Sequence, residues 1–353
     1  MIFLRPIQKS DLEGLISLNA LSSIGMTTFP KDARILEQKI FHSIDSFQKV
    51  VTKPEDELYL FVLEDSHNHE IIGVSAIFAT TGGGEAHYFF RKETITSNSS
   101  LDAVVKSVPT LSSISYLREP SEICSLFLHP EKRKHGLGRL LSLGRFHFMA
   151  AHPERFTDSL YTELRGFIEN GTSIFWEGIG KHFFNMPFNE ALELLKYSRS
   201  FIEHFIPKHP IYISLLPKDV QNAIGKTHPS TEAALTMLLQ EGFTITDEID
   251  IFDGGPKLRA LKKDVRTIRE SKLFQVIEIQ DTISEEPVLL LSNCRLNFRA
   301  CVGNLQIKEP NEQNQEQLQE LYLATITSTV AESLQVGPGD IIRAAPLHKE
   351  NRK

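Results

Sequence analysis

SEICSLFLHPEKRKHGLGRLLSLGRFHFMAA, residues Ser121–Ala151, is the stretch that decides the fold. Ile123–Leu128 is an apolar run of strand length and strand composition. His129-Pro130 makes a turn, and the basic residues Lys132, Arg133, Lys134 and His135 cluster after it. Gly136-Leu137-Gly138 then opens a helix with apolar residues at Leu137, Leu140, Leu141, Leu143 and Phe146. Strand, basic glycine loop and amphipathic helix, in that order, form a cradle for a pyrophosphate. The glycines let backbone approach the anion, and the helix N-terminus turns unpaired N–H groups and the positive end of its dipole toward it. The dipole alone contributes about 0.3–2 kcal/mol, so Arg133, Lys134 and Arg139 are expected to add to it. An ordinary strand-to-helix turn with solvated basic side chains is the plainer alternative. A dinucleotide fingerprint fits less well, because G-x-G-x-x-G needs a third glycine where Leu141 stands.

Upstream, Ile2–Pro6 reads as a strand and Ser10-Asp11 as the cap of a helix carrying Leu12, Leu15, Ile16 and Leu18. Asp32–Phe47 reads as a second helix. Leu58–Glu64 and Ile71–Ala79 read as a hairpin across the polar turn Asp65–Glu70. Thr80–Ser100, with Gly82-Gly83-Gly84, reads as a loop followed by a strand at His87–Arg91. Downstream, Ser159–Arg165 is the expected next parallel strand. Phe167–Phe188, which includes the only tryptophan, Trp176, reads as core. Asn189–Phe205 is helical by pattern, and Lys218–Ile224 is another short helix. Thr231–Glu241 is a helix with Ser230 as its cap, ended by Gly242, and Phe243–Phe252 returns as a strand. Beyond Asp253-Gly254-Gly255-Pro256 short strand-like segments dominate, apart from the helical periodicity of Glu312–Ile326. Residues 257–353 therefore read as a small β-rich domain appended to a domain of residues 1–256.

The 353 residues suffice for two domains of ordinary size. Hydrophobic content of 41% and charged content of 24% place the chain among soluble globular proteins. A net charge of −7 and a pI near 6.0 argue against nucleic-acid binding. No apolar run reaches membrane-spanning length and the first residues do not form a signal peptide, so the cytoplasm is expected. Three cysteines form no C-x-x-C pair and the thirteen histidines no H-E-x-x-H spacing, so no metal is suggested.

Arg133-x-x-Gly136-x-Gly138 after a buried strand resembles the acyl-CoA signature of the GNAT superfamily of N-acyltransferases. The opening (Ile/Leu)-Arg-Pro-x-x-x-x-Asp-x-x-x-Leu and the closing Met-Leu-Leu-x-Glu-Gly-Phe resemble that superfamily too, and Ser23–Pro30 lies where it places substrate-facing residues. SEICSLFLHPEKRK with GLGRLLS, ELRG (Glu163–Gly166), FW-x-x-x-GKHFF (Phe175–Phe184), PKHPIY (Pro207–Tyr212), IGKTHP (Ile224–Pro229) and EGF-x-x-x-x-x-IDIFDGGP (Glu241–Pro256) resemble the bacterial arginine N-succinyltransferase family. The glycine-rich Thr80–Gly84 and the stretch after Gln280 are less like it.

The resemblance implies a mixed α/β acyltransferase sheet flanked by helices, with a C-terminal barrel-like part. It implies transfer of succinyl from succinyl-CoA to the α-amine of L-arginine, the first step of arginine degradation by succinylation, with no permanently bound cofactor. It also implies that the backbone at Leu126 binds succinyl-CoA and that His228 is the proton donor, with Arg133, Gly136 and Gly138 on the coenzyme. Superfamily members usually draw the acid from a tyrosine on the last helix, and here Leu238 stands at that place. Glu163, Asp250 and Asp253 are candidates to hold a guanidinium, and Arg165 and Lys181 a carboxylate. Acylation of ornithine or another amino acid, a non-catalytic acyl-CoA-binding subunit, and a homo- or hetero-oligomer stay open as alternatives.

Overall fold

The computed structural model describes residues 1–22, 26–98, 105–133, 136–283, 287–308 and 321–348. Lys134, His135, Ser23, Ile24, Gly25 and residues 309–320 lie outside that set, and with them part of the basic cluster, of the Ser23–Pro30 segment and of the expected Glu312–Ile326 helix.

The first seven strands are β1 (Ile2–Pro6), β2 (Leu58–Asp65), β3 (Glu70–Phe78), β4 (Thr81–Asn98), β5 (Val105–Glu119), β6 (Ser121–Leu128) and β7 (Ser159–Glu163). The first three helices are α1 (Leu12–Ala20), α2 (Ala33–Gln48) and α3 (Leu137–Ala151). In the main sheet β5 and β4 lead to Thr244–Asp250 and Pro256–Leu261, then to β7, β6, β3, β2 and β1. Among the described residues, only β6 and β7 run parallel in this half.

β2, LYLFVLED, has no polar face because both of its faces are covered. Leu58, Leu60 and Val62 pack with Leu15, Leu18, Leu36 and Ile40 of α1 and α2. Tyr59, Phe61 and Leu63 point the other way, onto Leu140, Leu141, Phe146 and Phe148 of α3. Alternation of side chains along a strand thus sorts one apolar run into two cores.

The N-terminal motif has a structural explanation. Arg5 on β1 meets the Asp11 carboxylate through both terminal nitrogens, at 2.7 and 2.8 Å, and Glu64 through Nε. Asp11 also accepts the Gln8 N–H at 2.7 Å. A buried guanidinium satisfied by two carboxylates fixes how α1 leaves the sheet. Ser10-Asp11 is therefore part of a tight turn, Lys9–Asp11, rather than a side-chain cap on α1.

Several expectations are corrected. Thr80–Gly84 is not a loop: β4 begins at Thr81 and pairs with β5 along its length, with an irregularity between Gly82 and His87. β5 goes unmarked in the sequence because its serines and threonines blur the alternation. Asn189–Phe205 is two helices, Phe188–Leu195 and Ser200–Phe205. Leu321–Thr327, the described end of the expected helix, is a strand, and its Ala324 and Ile326 are fully buried.

Trp176 is fully buried as expected, stacked on Phe252 at 5.4 Å and beside Phe184 at 5.1 Å. Pro256–Leu261, which opens the expected second domain, lies inside the main sheet, paired with β7. The sheet continues from β1 through Ala300–Gly303, Leu289–Asn293, Ile341–Pro346, Lys272–Gln280, Leu321–Thr327 and Leu305–Lys308. This is the expected β-rich extension, joined to β1 by the pairs Phe3↔Cys301 and Leu4↔Ala300.

Candidate active site

β6 and β7 are paired only where they begin, Ser121 with Leu160 and Glu122 with Tyr161. Beyond these pairs their ladder stops, and a cavity of about 240 Å³ is lined from both sides by Ile123–Phe127 and by Thr162–Arg165. A bulge opens the gap. Ser125 sits in the left-handed region at φ 52°, and the register with β3 shifts between Val74 and Ala76. A bulge bends its strand and takes backbone groups out of the ladder. Arg145 of α3 takes up two such carbonyls, donating to Cys124 O at 3.2 Å and Ala76 O at 3.4 Å. This guanidinium is almost fully buried, and burial lowers its pKa to about 10, so it stays a cation.

Leu126 lies on the bulged segment and lines the cavity, as does Leu238 at the place of the usual tyrosine. The glycine loop stands at the end of β6. Gly136 precedes α3 at φ 77°, a conformation that favours glycine, and a Cβ on Gly138 would meet nothing within 4 Å. Among the described residues, the space beside Gly138 in the first turn of α3 is therefore open. Arg133 donates through Nε to Leu128 O at 3.3 Å and lies over the Phe127 ring, so it ties the loop to the strand end. Arg139 reaches across to Gln240 at 3.2 Å, on the helix Glu232–Gln240.

The acidic candidates gather on the same cavity. Glu163, Asp250 and Asp253 all line it, together with Glu122, which sequence reasoning missed. Asp250 Oδ1 accepts the N–H groups of Phe252 and Asp253, each at 2.7 Å. Asp253 accepts those of Gly166 and Gly255, each at 2.8 Å. Gly255 is obligatory there, since a Cβ would lie 2.0 Å from Leu164 O. The ELRG and DGGP blocks are thus two sides of one junction, held by Asp253, that ends β7 at the cavity. Burial and the neighbouring Asp250 push the Asp253 carboxyl up to about 8.

Glu163 is held differently. Its carboxyl makes no hydrogen bond among the described residues, and burial, with Asp250 and Glu122 adding, raises its pKa well above the carboxylate range. Such a group is stabilised as an anion by any cation brought against it. Behind the acids lies Lys257, fully buried, 3.0 Å from Glu119, 3.1 Å from Glu248, and over the Phe89 ring at 3.6 Å. His87 also lines the cavity. Its Nδ1 is buried without a partner among the described residues, and burial, with Arg199 and Lys257, lowers its pKa to about 3.

Arg165 is on the cavity wall, whereas Lys181 is not: it is exposed and paired with Glu177 at 2.7 Å. His228 itself is not among the residues that line the cavity. Its N–H donates to Arg165 O at 2.8 Å, and the two residues after Pro229, Ser230 and Thr231, line the cavity. Ser230 caps nothing. Its N–H instead donates to His228 Nδ1 at 3.1 Å, and its hydroxyl lies 2.7 Å from the same nitrogen. An Nδ1 that accepts an N–H is unprotonated, so the proton of the neutral ring is on Nε2. Desolvation, with Arg165, lowers the His228 pKa.

Residues 2–267 match the family described as arginine N-succinyltransferase beta subunit. The chain belongs to the arginine N-succinyltransferase family. An arginine N-succinyltransferase of Citrobacter koseri is 36% identical over all of this chain and 99% of its own length. One from an Enterobacter species is 39% identical over 85% of this chain and 88% of its own. A solved family member, arginine/ornithine succinyltransferase subunit AI from Pseudomonas aeruginosa, superposes with a TM-score of 0.86 at 33% identity, covering 99% of both chains. The family resemblance of the six sequence blocks is therefore matched by the whole fold, an acyltransferase sheet with its β-rich extension.

Proposed function

We propose that this chain transfers the succinyl group of succinyl-CoA to the α-amine of L-arginine. The observation that carries the reading is the cavity at the open end of β6 and β7, lined by Leu126 of β6 and by Glu163, whose carboxyl makes no hydrogen bond among the described residues, with the N-terminus of α3 following β6 in the chain. The coenzyme pyrophosphate lies on the first turn of α3, and the thioester runs along β6 with its carbonyl toward the backbone at Leu126. An N–H donated to the developing oxyanion contributes about 3 kcal/mol in comparable sites. The guanidinium of arginine enters opposite Glu163 and holds it ionised. The neutral α-amine nitrogen bonds to the thioester carbon, the carbon–sulfur bond breaks, the nitrogen releases one proton to solvent, and the departing thiolate takes a proton.

We assign that proton to His228. Protonated, its Nδ1–H turns to donate to the Ser230 hydroxyl, and Nε2–H faces the thiolate. A lowered pKa makes this imidazolium a readier donor than an unperturbed one. Leu238 and Ala234 leave no competing acid on the adjoining helix wall. Ornithine is a second acceptor to consider, since a solved relative is described as acting on both amino acids and a carboxylate pairs with an ammonium as with a guanidinium. A cytoplasmic enzyme working in a homo- or hetero-oligomer is consistent with relatives described as subunits.

The test is thiol release by the purified chain across succinyl-CoA and acetyl-CoA, with arginine and ornithine as acceptors. Arginine-dependent release of CoA, with the product acylated on the α-amine, is expected. Release no faster than hydrolysis with either acceptor would overturn the assignment.

A further inference from the structure

Four arginines line the cavity, and three of them are committed. Arg145 is spent on carbonyls of the bulge, Arg133 on the end of β6, and Arg165 has contacts of its own beside Asp253. The fourth, Arg199, differs. Its backbone is fixed, the N–H donating to Glu85 of β4 at 2.6 Å, and it stands at the turn into the helix Ser200–Phe205. Its guanidinium makes no hydrogen bond or ion pair among the described residues. It nevertheless lines the cavity, half-buried, and acts electrostatically on Glu122, Glu163 and Asp250. Five N–H donors in a planar fork, with no internal acceptor, match a ligand carboxylate.

We propose that Arg199 pairs with the free carboxylate of the succinyl group and so selects a dicarboxylic acyl thioester over acetyl. The proposal rests on the acyl-transfer reading above. The reacting pair brings one cation and a distal acyl carboxylate into the cavity, and among the described residues that line it Glu163 and Arg199 are a carboxyl and a guanidinium without any side-chain hydrogen bond. The acyl thioester enters along β6, and Arg199 lines the same cavity. Burial and Asp250 favour the neutral form of Asp253, which limits its repulsion of the incoming carboxylate. Lys181, the lysine suggested by sequence for this task, points to solvent.

The experiment compares kcat/KM for succinyl-CoA and acetyl-CoA, with arginine as acceptor, in wild type, Arg199→Gln and Arg199→Lys. The wild type is expected to prefer succinyl-CoA. Arg199→Gln should reduce that preference about 30-fold or more, the usual scale for truncating one partner of a desolvated charge pair. Arg199→Lys, a point charge without the fork, should fall between. Thermal melting of each variant with CoA confirms that the fold and coenzyme site persist. A wild-type preference near unity overturns the proposal. So does an Arg199→Gln variant that loses activity equally with both thioesters or only raises KM for arginine, since Arg199 would then serve the acids instead. Absence of turnover by the wild type would instead sink the acyl-transfer reading itself.

Discussion

His228 was legible in the sequence only through its family motif, because a histidine before a helix is ordinarily a packing or capping residue. The structure shows that it does cap, through Nδ1 on the Ser230 N–H, a bond that leaves the proton of the neutral ring on Nε2. Replacing His228 with alanine should lower kcat by about 10²–10⁴-fold, the scale of lost general acid catalysis, while KM for succinyl-CoA moves little. The loss should shrink with a thioester whose thiol is more acidic, because that thiolate leaves without help. Steady-state kinetics on the two thioesters decides it: a raised KM for arginine at intact kcat would make His228 a substrate contact. Glu163, Asp250, Asp253 and Arg165 were chosen from the sequence by charge alone, and all reached the cavity. Lys181 did not, and Arg199, His87 and Arg145 gave no signal. Their positions depend on β4, on the turn after Phe188–Leu195 and on a bulge at Ser125, and none of these leaves a periodic trace.

At the scale of elements, β6 and α3 were readable because each carries a clean pattern, an apolar run and a helical stripe separated by glycines. Gly136→Asp tests the loop between them. A side chain at φ 77° is strained, and its negative charge would face the pyrophosphate across the first turn of α3. CoA affinity should drop about tenfold or more, about 1.4 kcal/mol, in a protein that still melts cooperatively. Titration calorimetry showing unchanged affinity would move the coenzyme elsewhere. The buried face of α3 carries a second prediction. His147 is fully buried, with Nδ1 3.0 Å from Ser292 Oγ, and burial, with Arg343 and Arg266, holds its pKa at about 3. Because the unfolded chain binds this proton more readily than the folded one, the stability His147 contributes is present above about pH 6.5 and lost as pH falls toward 3. His147→Gln should reduce the loss between pH 7 and 5 by about 2 kcal/mol relative to wild type, read from denaturant midpoints at both pH values. Parallel curves for the two proteins would show that His147 titrates normally.

For the whole molecule, the sequence announced a β-rich tail but not where it attaches. The change in composition after Pro256 is visible, yet Pro256–Leu261 belongs to the sheet's centre, and pairing between β1 and Ala300–Gly303 leaves no local mark. We place the division between Leu261 and Lys272, in accord with a family match that ends at residue 267. The two parts are not independent by this geometry. Leu290, Phe298 and Leu347 of the extension are in the same core as α3, and Phe298 packs on Phe61 at 5.9 Å and Phe148 at 5.4 Å. Burying three such side chains contributes about 5–9 kcal/mol, comparable to the whole stability of an ordinary domain, about 5–15 kcal/mol. Ending the chain after Ser271 removes those contacts and leaves the edge of β1 unpaired beside exposed apolar surface, an arrangement that invites association. The truncated chain should be insoluble, or melt well below the full chain without a sharp transition, and should fail to bind CoA even though every cavity residue named above is retained. A soluble, cooperatively melting fragment with intact CoA affinity would instead make the extension a separable addition. The cavity would then have to be held by the first 271 residues alone.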